Sequence, residues 1–162
     1  MSAQSVIDLL AARRIKLALA ESLTGGLVAS DLVSIPGASN VLLGSVVAYN
    51  TGLKSALLGV NAELLATNGA VDPEVATQMA EGVRSRFSLS LLLPTDQILG
   101  LATTGVAGPD EQDGQPVGTV YLAIAGAKGP KVWAHVFSGN RAQIREQTVA
   151  AAFEHIGEYF SS

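Results

Sequence analysis

The stretch IKLALA (15–20), ESLTGG (21–26), LVASDLV (27–33) decides how this chain folds. The first part is apolar apart from Lys16 and has the length of a buried strand. Thr24 to Val33 reads as a helix. Two hydroxyls, Ser22 and Thr24, and two glycines, Gly25 and Gly26, therefore fall where a strand turns into a helix. The first N–H groups of a helix have no internal partner and point at whatever binds there, so an anion or a developing oxyanion is the expected occupant. Two readings stand side by side. In one, Ser22 is a nucleophile and the glycine turn stabilises an oxyanion. In the other, Ser22 lies near an N-cap and the glycines let helix and sheet pack closely. The pattern is not G-x-S-x-G, so an α/β-hydrolase elbow does not fit.

Outward from this stretch, residues 5–13 carry apolar positions at helical spacing, and Lys16 to Glu21 is the first strand. Ile35-Pro36-Gly37-Ala38-Ser39 is a turn. Val41 to Asn50 is rich in β-formers and reads as a second strand; Lys54 to Leu58 is a short helix ended by Gly59. Asn61 caps a helix that Asn68-Gly69 stops. Asp72-Pro73-Glu74 opens a helix with an N-cap acid, a proline at the first position and a second acid in the first turn; its apolar face is Val75, Met79 and Val83, with Phe87 near the end. Leu99 to Thr104 is a third strand. Val117 to Ala125 and Lys131 to Phe137 are two more, joined as a hairpin by residues 126–130. Arg141 to Tyr159 reads as a long terminal helix. Helices mixed with five strands, the last two antiparallel, predict an α/β sandwich on a mixed sheet.

Composition narrows the function. The 162 residues suit one domain, 1–162, with a single core. Residues are 48% hydrophobic but only 5% aromatic, so Ala, Val, Leu and Gly carry the core, which suits tight layers. A net charge of −4 argues against nucleic-acid binding, which needs a positive footprint, but leaves room for a small anion held by local cations. With no cysteine, disulfides, thiolate metal sites and cysteine nucleophiles are excluded. Only His135 and His155 are present, which speaks against a histidine metal site. The N-terminus is no signal peptide and no apolar run is long enough for a membrane span, so a cytoplasmic protein with no membrane partner is expected.

A serine nucleophile needs a base. His135 lies in an alternating strand and His155 inside the last helix, where both read as structural. Lysine serves when desolvation lowers its pKa. Lys16, Lys128 and Lys131 look solvated. Lys54 follows VVAYN (46–50) at a strand mouth, where Tyr49 and Asn50 add a hydroxyl and an amide; on composition alone a surface lysine is the more natural reading. TTGVAGP (103–109) is a second strand end with hydroxyls and glycines, fit either to line a site or to form a plain turn. Arg141 and Arg145, one helical turn apart after Ser138-Gly139-Asn140, suit a phosphate or carboxylate clamp, or pair with Glu146 and water. Asp110, Glu111 and Asp113 match no metal spacing and read as a solvated loop.

Taken in order, AESLTGG (20–26), SVVAYNTGLKSALLGV (45–60), NGAV (68–71), TTGVAGP (103–109) with PVGTVY (116–121), and FSGNRAQIR (137–145) resemble the CinA C-terminal domain family, the PncC-like nicotinamide-nucleotide amidases, in their stand-alone form. The resemblance covers about residues 5–160. It implies a three-layer α/β/α sandwich and a serine–lysine amidohydrolase that converts nicotinamide mononucleotide to nicotinate mononucleotide and ammonia, with no cofactor and no metal. Position by position it implies Ser22 as nucleophile, Lys54 as base, and Tyr49 and Thr104 as further catalytic hydroxyls. Thr24, Gly25 and Gly26 would hold the oxyanion or ligand, with Gly105, Gly108 and Arg141 on the substrate's phosphate side. It also implies a homo-oligomer, most simply a dimer. The rival is a non-catalytic nucleotide-binding or regulatory module of the same fold. The loop after Pro109, DEQDGQ (110–115), departs from the family's glycine-rich loop, and Leu23 stands where relatives often carry a small or sulfur side chain.

Overall fold

A computed structural model describes residues 1–161. The elements run α1 (Ala3–Arg13), β1 (Lys16–Glu21), α2 (Leu27–Val33), β2 (Leu42–Val47), α3 (Thr51–Leu58), α4 (Ala62–Asn68), α5 (Pro73–Leu91), β3 (Ile98–Gly105), β4 (Thr119–Gly126), β5 (Gly129–Val136) and α6 (Arg141–Ser161). The strands form one mixed open sheet in the order β2-β1-β3-β4-β5. β1 pairs in parallel with β2 and β3, whereas β3, β4 and β5 are successively antiparallel.

Alternation along the strands gives the two faces different textures. One face presents Leu17, Leu19, Leu99, Leu101, Leu122 and Ile124 to α1, α2 and α6, which answer with Val6, Leu10, Val28, Leu32, Ile144, Phe153 and Ile156. The other presents Ala18, Ala20, Ala102, Ala123 and Ala125 to Val75, Met79, Ala80 and Val83 of α5 and Leu58 of α3. Small side chains bring that second layer very close. A Cβ added at Gly100 would lie 2.1 Å from the Ala80 carbonyl oxygen, and one at Gly82 would lie 1.9 Å from that of Leu58. The apolar run of β1 is thus a strand buried on both sides, with large residues facing one layer and small ones the other.

Several element bounds differ from those the sequence predicts. α2 starts at Leu27, not Thr24, because Gly25 (φ 58°) and Gly26 (φ 96°) lie outside the right-handed helical region. α3 starts at Thr51, since Asn50 caps it by accepting from the Gly52 N–H at 2.9 Å. Asn61 and Asp72 cap α4 and α5 as expected. α5 runs past Phe87 to Leu91. β4 and β5 meet in a tight hairpin in which Gly126 pairs with Gly129. Among the described residues no helix is long and apolar enough to cross a membrane.

The topology also places a crevice. From β1 the chain crosses through α2 on the leucine face to β2 on one side, then returns through α3–α5 on the alanine face to β3 on the other. In an open α/β sheet, such a reversal opens a crevice beyond the carboxyl ends of the parallel strands. Ser22 and Thr104 stand at those ends.

Candidate functional site

Glu21 closes β1 and is only 1% exposed. Its carboxylate accepts the N–H groups of Gly26 (3.0 Å), Val28 (3.1 Å) and Ala29 (3.1 Å) and the Ser45 hydroxyl (3.0 Å). The anion expected at the α2 N-terminus is therefore supplied by the chain itself. This revises the reading of the glycine turn. Thr24 is fully buried and shares a hydrogen bond with the Thr103 hydroxyl at 2.8 Å; the Gly25 N–H donates to the Ser22 carbonyl at 3.0 Å; the Gly26 N–H belongs to Glu21. None of the three lines the cleft described below. Their part is to shape the turn that presents Ser22. Arg145 pins the same turn from α6, with Nε donating to the Leu23 carbonyl at 3.0 Å and Nη2 to that of Thr24 at 2.8 Å.

Ser22 is anchored through its N–H, which donates to the Thr103 carbonyl at 3.0 Å and so continues the β1–β3 ladder by one residue. Its Oγ lies 3.0 Å from the Nζ of Lys54, which also donates to the Ala48 carbonyl at 2.7 Å. Lys54 is 1% exposed, so it is not a surface lysine. Burial lowers its pKa from 10.5 to about 8, against an opposing pull from the Asp113 carboxylate. The first turn of α3, set by its Asn50 cap, carries this side chain into the crevice.

Thr104 is buried and donates to the Ala70 carbonyl at 2.7 Å. Tyr49 stands exposed at the rim, its hydroxyl accepting from Arg141 Nη2 at 2.6 Å; Arg141 Nη1 donates to the Gly108 carbonyl at 2.7 Å. A cleft of about 270 Å³ collects Ser22, Tyr49, Lys54, Thr104, Gly105, Gly108 and Arg141. Seven of the ten residues to which the resemblance assigns a role are therefore brought together, while Thr24, Gly25 and Gly26 stay behind the turn.

Two groups read as solvated or merely structural come out differently from each other. Asp110 and Glu111 form part of the cleft wall. His135 and His155 lie elsewhere, with facing Nε2 atoms 2.8 Å apart and Trp133 stacked on His155 at 4.3 Å, in keeping with a structural role. Among the described residues no group of three or more His, Cys, Asp and Glu is placed to hold a metal ion. Sequence reading passed over Glu21 and took Asp113 only as part of a solvated loop. A carboxylate closing an otherwise apolar strand, one residue before the serine, was the available signal for Glu21; Asp113 had none.

In chemical terms the cleft offers a hydroxyl beside an amine whose neutral form is accessible near neutral pH. That pairing suits proton abstraction and nucleophilic attack.

Comparison with known proteins agrees with this architecture. The model of the CinA C-terminal domain matches residues 1–160. A CinA-like protein of Frankia casuarinae is 44% identical over 149 residues, 92% of this chain and 33% of the relative. A CinA-like protein of Anaeromyxobacter sp. is 45% identical over 150 residues, 92% of this chain and 34% of the relative. The chain thus spans about a third of the length of these curated relatives. Among solved structures, the competence/damage inducible protein CihA of Agrobacterium tumefaciens superposes with a TM-score of 0.85 at 34% identity, covering 95% of this chain and 90% of that one. A CinA superfamily protein of Klebsiella pneumoniae superposes with a TM-score of 0.87 at 28% identity, covering 99% of both. On the family match, the relatives and the shared fold, the chain belongs to the CinA C-terminal domain family.

Proposed function

We propose that this chain is an amidohydrolase that deamidates nicotinamide mononucleotide to nicotinate mononucleotide and ammonia, with Ser22 as nucleophile and Lys54 as its base. The observation that carries the reading is the 3.0 Å contact between Lys54 Nζ and Ser22 Oγ, made by a lysine whose pKa burial has lowered to about 8. At pH 7 a lysine of pKa 8 is neutral in about a tenth of molecules, against roughly one in 3,000 at pKa 10.5. A binding module without turnover gains nothing from a desolvated lysine held against a serine.

In this mechanism neutral Lys54 takes the Ser22 proton as Oγ attacks the carboxamide carbon. The tetrahedral intermediate collapses with the C–N bond breaking, and the Lys54 ammonium returns the proton to the departing nitrogen, which leaves as ammonia. Water, deprotonated by Lys54, then attacks the acyl ester and releases the carboxylate, restoring Ser22. Donors for the oxyanion come from the cleft rather than from the glycine turn. Leu23, Ala107 and Gly108 line it, and among the described residues their N–H groups make no hydrogen bond within the chain. Arg141 spends two of its donors on Tyr49 and Gly108 and turns the rest to a phosphate at the rim. The Tyr49 hydroxyl accepts from Arg141, which leaves its own proton for substrate.

Ammonia release from nicotinamide mononucleotide tests the reading. Ser22→Ala and Lys54→Ala are each expected to lower kcat by about a thousandfold or more. Full activity in either variant would remove the dyad.

A further inference from the structure

Asp113 sits in the loop between β3 and β4, 59 residues from Lys54 in sequence, and is exposed. It is nevertheless built into its surroundings. Its backbone takes φ 53°, a left-handed conformation that few residues other than glycine adopt. Its Oδ2 accepts the Ala70 N–H at 2.9 Å. Gly69, next to Ala70, is approached so closely that an added Cβ would lie 2.5 Å from the Asp113 Cβ. The Ala70 carbonyl in turn accepts the Thr104 hydroxyl at 2.7 Å. One residue of the α4–α5 turn is therefore held from both sides, by a strand end of the cleft and by the acidic loop. Asp110, Glu111 and Gln112 of that loop form the outer wall of the cleft, and Ala70 and Val71 form its floor.

We propose that Asp113 is a positioning residue of this site: its carboxylate, bound to the Ala70 N–H, clamps the 109–116 loop to the Ala70 turn as one wall of the cleft, and so holds a negative charge beside the cleft that Ala70 and Lys54 line together. The second half of this rests on the proposed amidase reading for its functional meaning; the first does not. The titratable and charged groups around Lys54 are few. Tyr49 and Arg141 face the cleft from the β2–α3 link and α6, and Asp110 and Glu111 face it from the loop. Glu21 is turned to the α2 N-terminus and held there by four donors. The charge of Asp113 opposes the effect of burial on Lys54. A negative charge there favours the ammonium and so sets how alkaline the solution must be before Lys54 gives up its own proton and can serve as a base.

Two variants separate clamp from charge. Asp113→Asn keeps an acceptor for the Ala70 N–H and removes the charge; Asp113→Ala removes both. Hydrogen exchange at the Ala70 amide reads the clamp and needs no substrate. Exchange at least tenfold faster in Asp113→Ala, with less than threefold change in Asp113→Asn, is expected; equal protection in wild type and Asp113→Ala would overturn the clamp. The charge is read by titrating the Lys54 Cε resonance of carbon-13 lysine-labelled protein, assigned against Lys54→Arg among only four lysines. Asp113→Asn should move the Lys54 midpoint to lower pH by about half a unit, less than a close buried pair would give because Asp113 is exposed. An unmoved midpoint would overturn that half. The pH profile of ammonia release should shift by the same amount and in the same direction. If the resonance moves while wild type releases no ammonia, the electrostatic inference stands and the amidase reading falls.

Discussion

At 1% exposure Lys54 carries a charge that its surroundings disfavour, and this links the candidate site to stability. Its folded pKa of about 8 lies below the unfolded 10.5, so between those values the unfolded chain binds more protons and stability rises with pH. Below about pH 8 the cost is present in full, roughly 2–4 kcal/mol. Lys54→Met is therefore expected to be inactive yet more stable than wild type by about 1–2 kcal/mol at pH 7, the gain reduced because the Ala48 carbonyl loses its donor. Urea denaturation at pH 7 and at pH 9.5 checks this, and the gap between the proteins should narrow at the higher pH. The same group sets activity: kcat/KM for ammonia release should climb with an apparent pKa of about 8. The residues alone left Ser22 open between nucleophile and near-cap and read Lys54 as a surface lysine; the family resemblance singled out the pair, because the burial of Lys54 against Ser22 comes from the packing of α3 and not from any local signal. The revised role of Gly26 was not read from the sequence: an acid closing an apolar strand marks Glu21 as unusual, but its folding back to take the Gly26 N–H follows from the path of the turn.

Two elements reach the site through contacts that involve no substrate. α2 is only seven residues long and has no side-chain cap at Gly26, so the Glu21 carboxylate is what satisfies its first N–H groups. Glu21→Gln replaces one acceptor oxygen with a donor facing N–H groups, and a loss of about 2–4 kcal/mol is expected in denaturant unfolding. α5 touches α3 where Gly82 meets the Leu58 carbonyl, and α3 carries Lys54. Gly82→Ala must push the two helices apart, so a stability loss of roughly 2 kcal/mol or more should come with a fall in kcat at nearly constant KM. Element identities were readable from caps such as Asn61 and Asp72 and from strand alternation. Their ends were less so: α5 runs to Leu91 and is capped by Leu92 at φ 54°, a left-handed position that no glycine marks, with Pro94 two residues beyond as the one stop signal.

Over the whole molecule, α6 supplies the third layer above the leucine face, with Ile144, Val149, Phe153 and Ile156 in the core. Truncation after Asn140 should abolish cooperative unfolding, as read by near-ultraviolet circular dichroism and amide exchange, because Leu101, Leu122 and Ile124 lose that cover. The layered α/β architecture was legible from five apolar strands with interleaved helices. The order β2-β1-β3-β4-β5 was not, because strand neighbours are set by which faces the connecting helices cover. The grip of Arg145 on the Leu23 and Thr24 carbonyls has a consequence for how the protein is made. The contact with Leu23 spans 122 residues, and the one from Arg141 to Tyr49 spans 92. Because synthesis runs from the N-terminus to the C-terminus, the serine turn leaves the ribosome 122 residues ahead of Arg145. Over that interval the nascent polypeptide carries the serine turn without the arginine that pins it, and the grip forms only once the start of α6 has emerged.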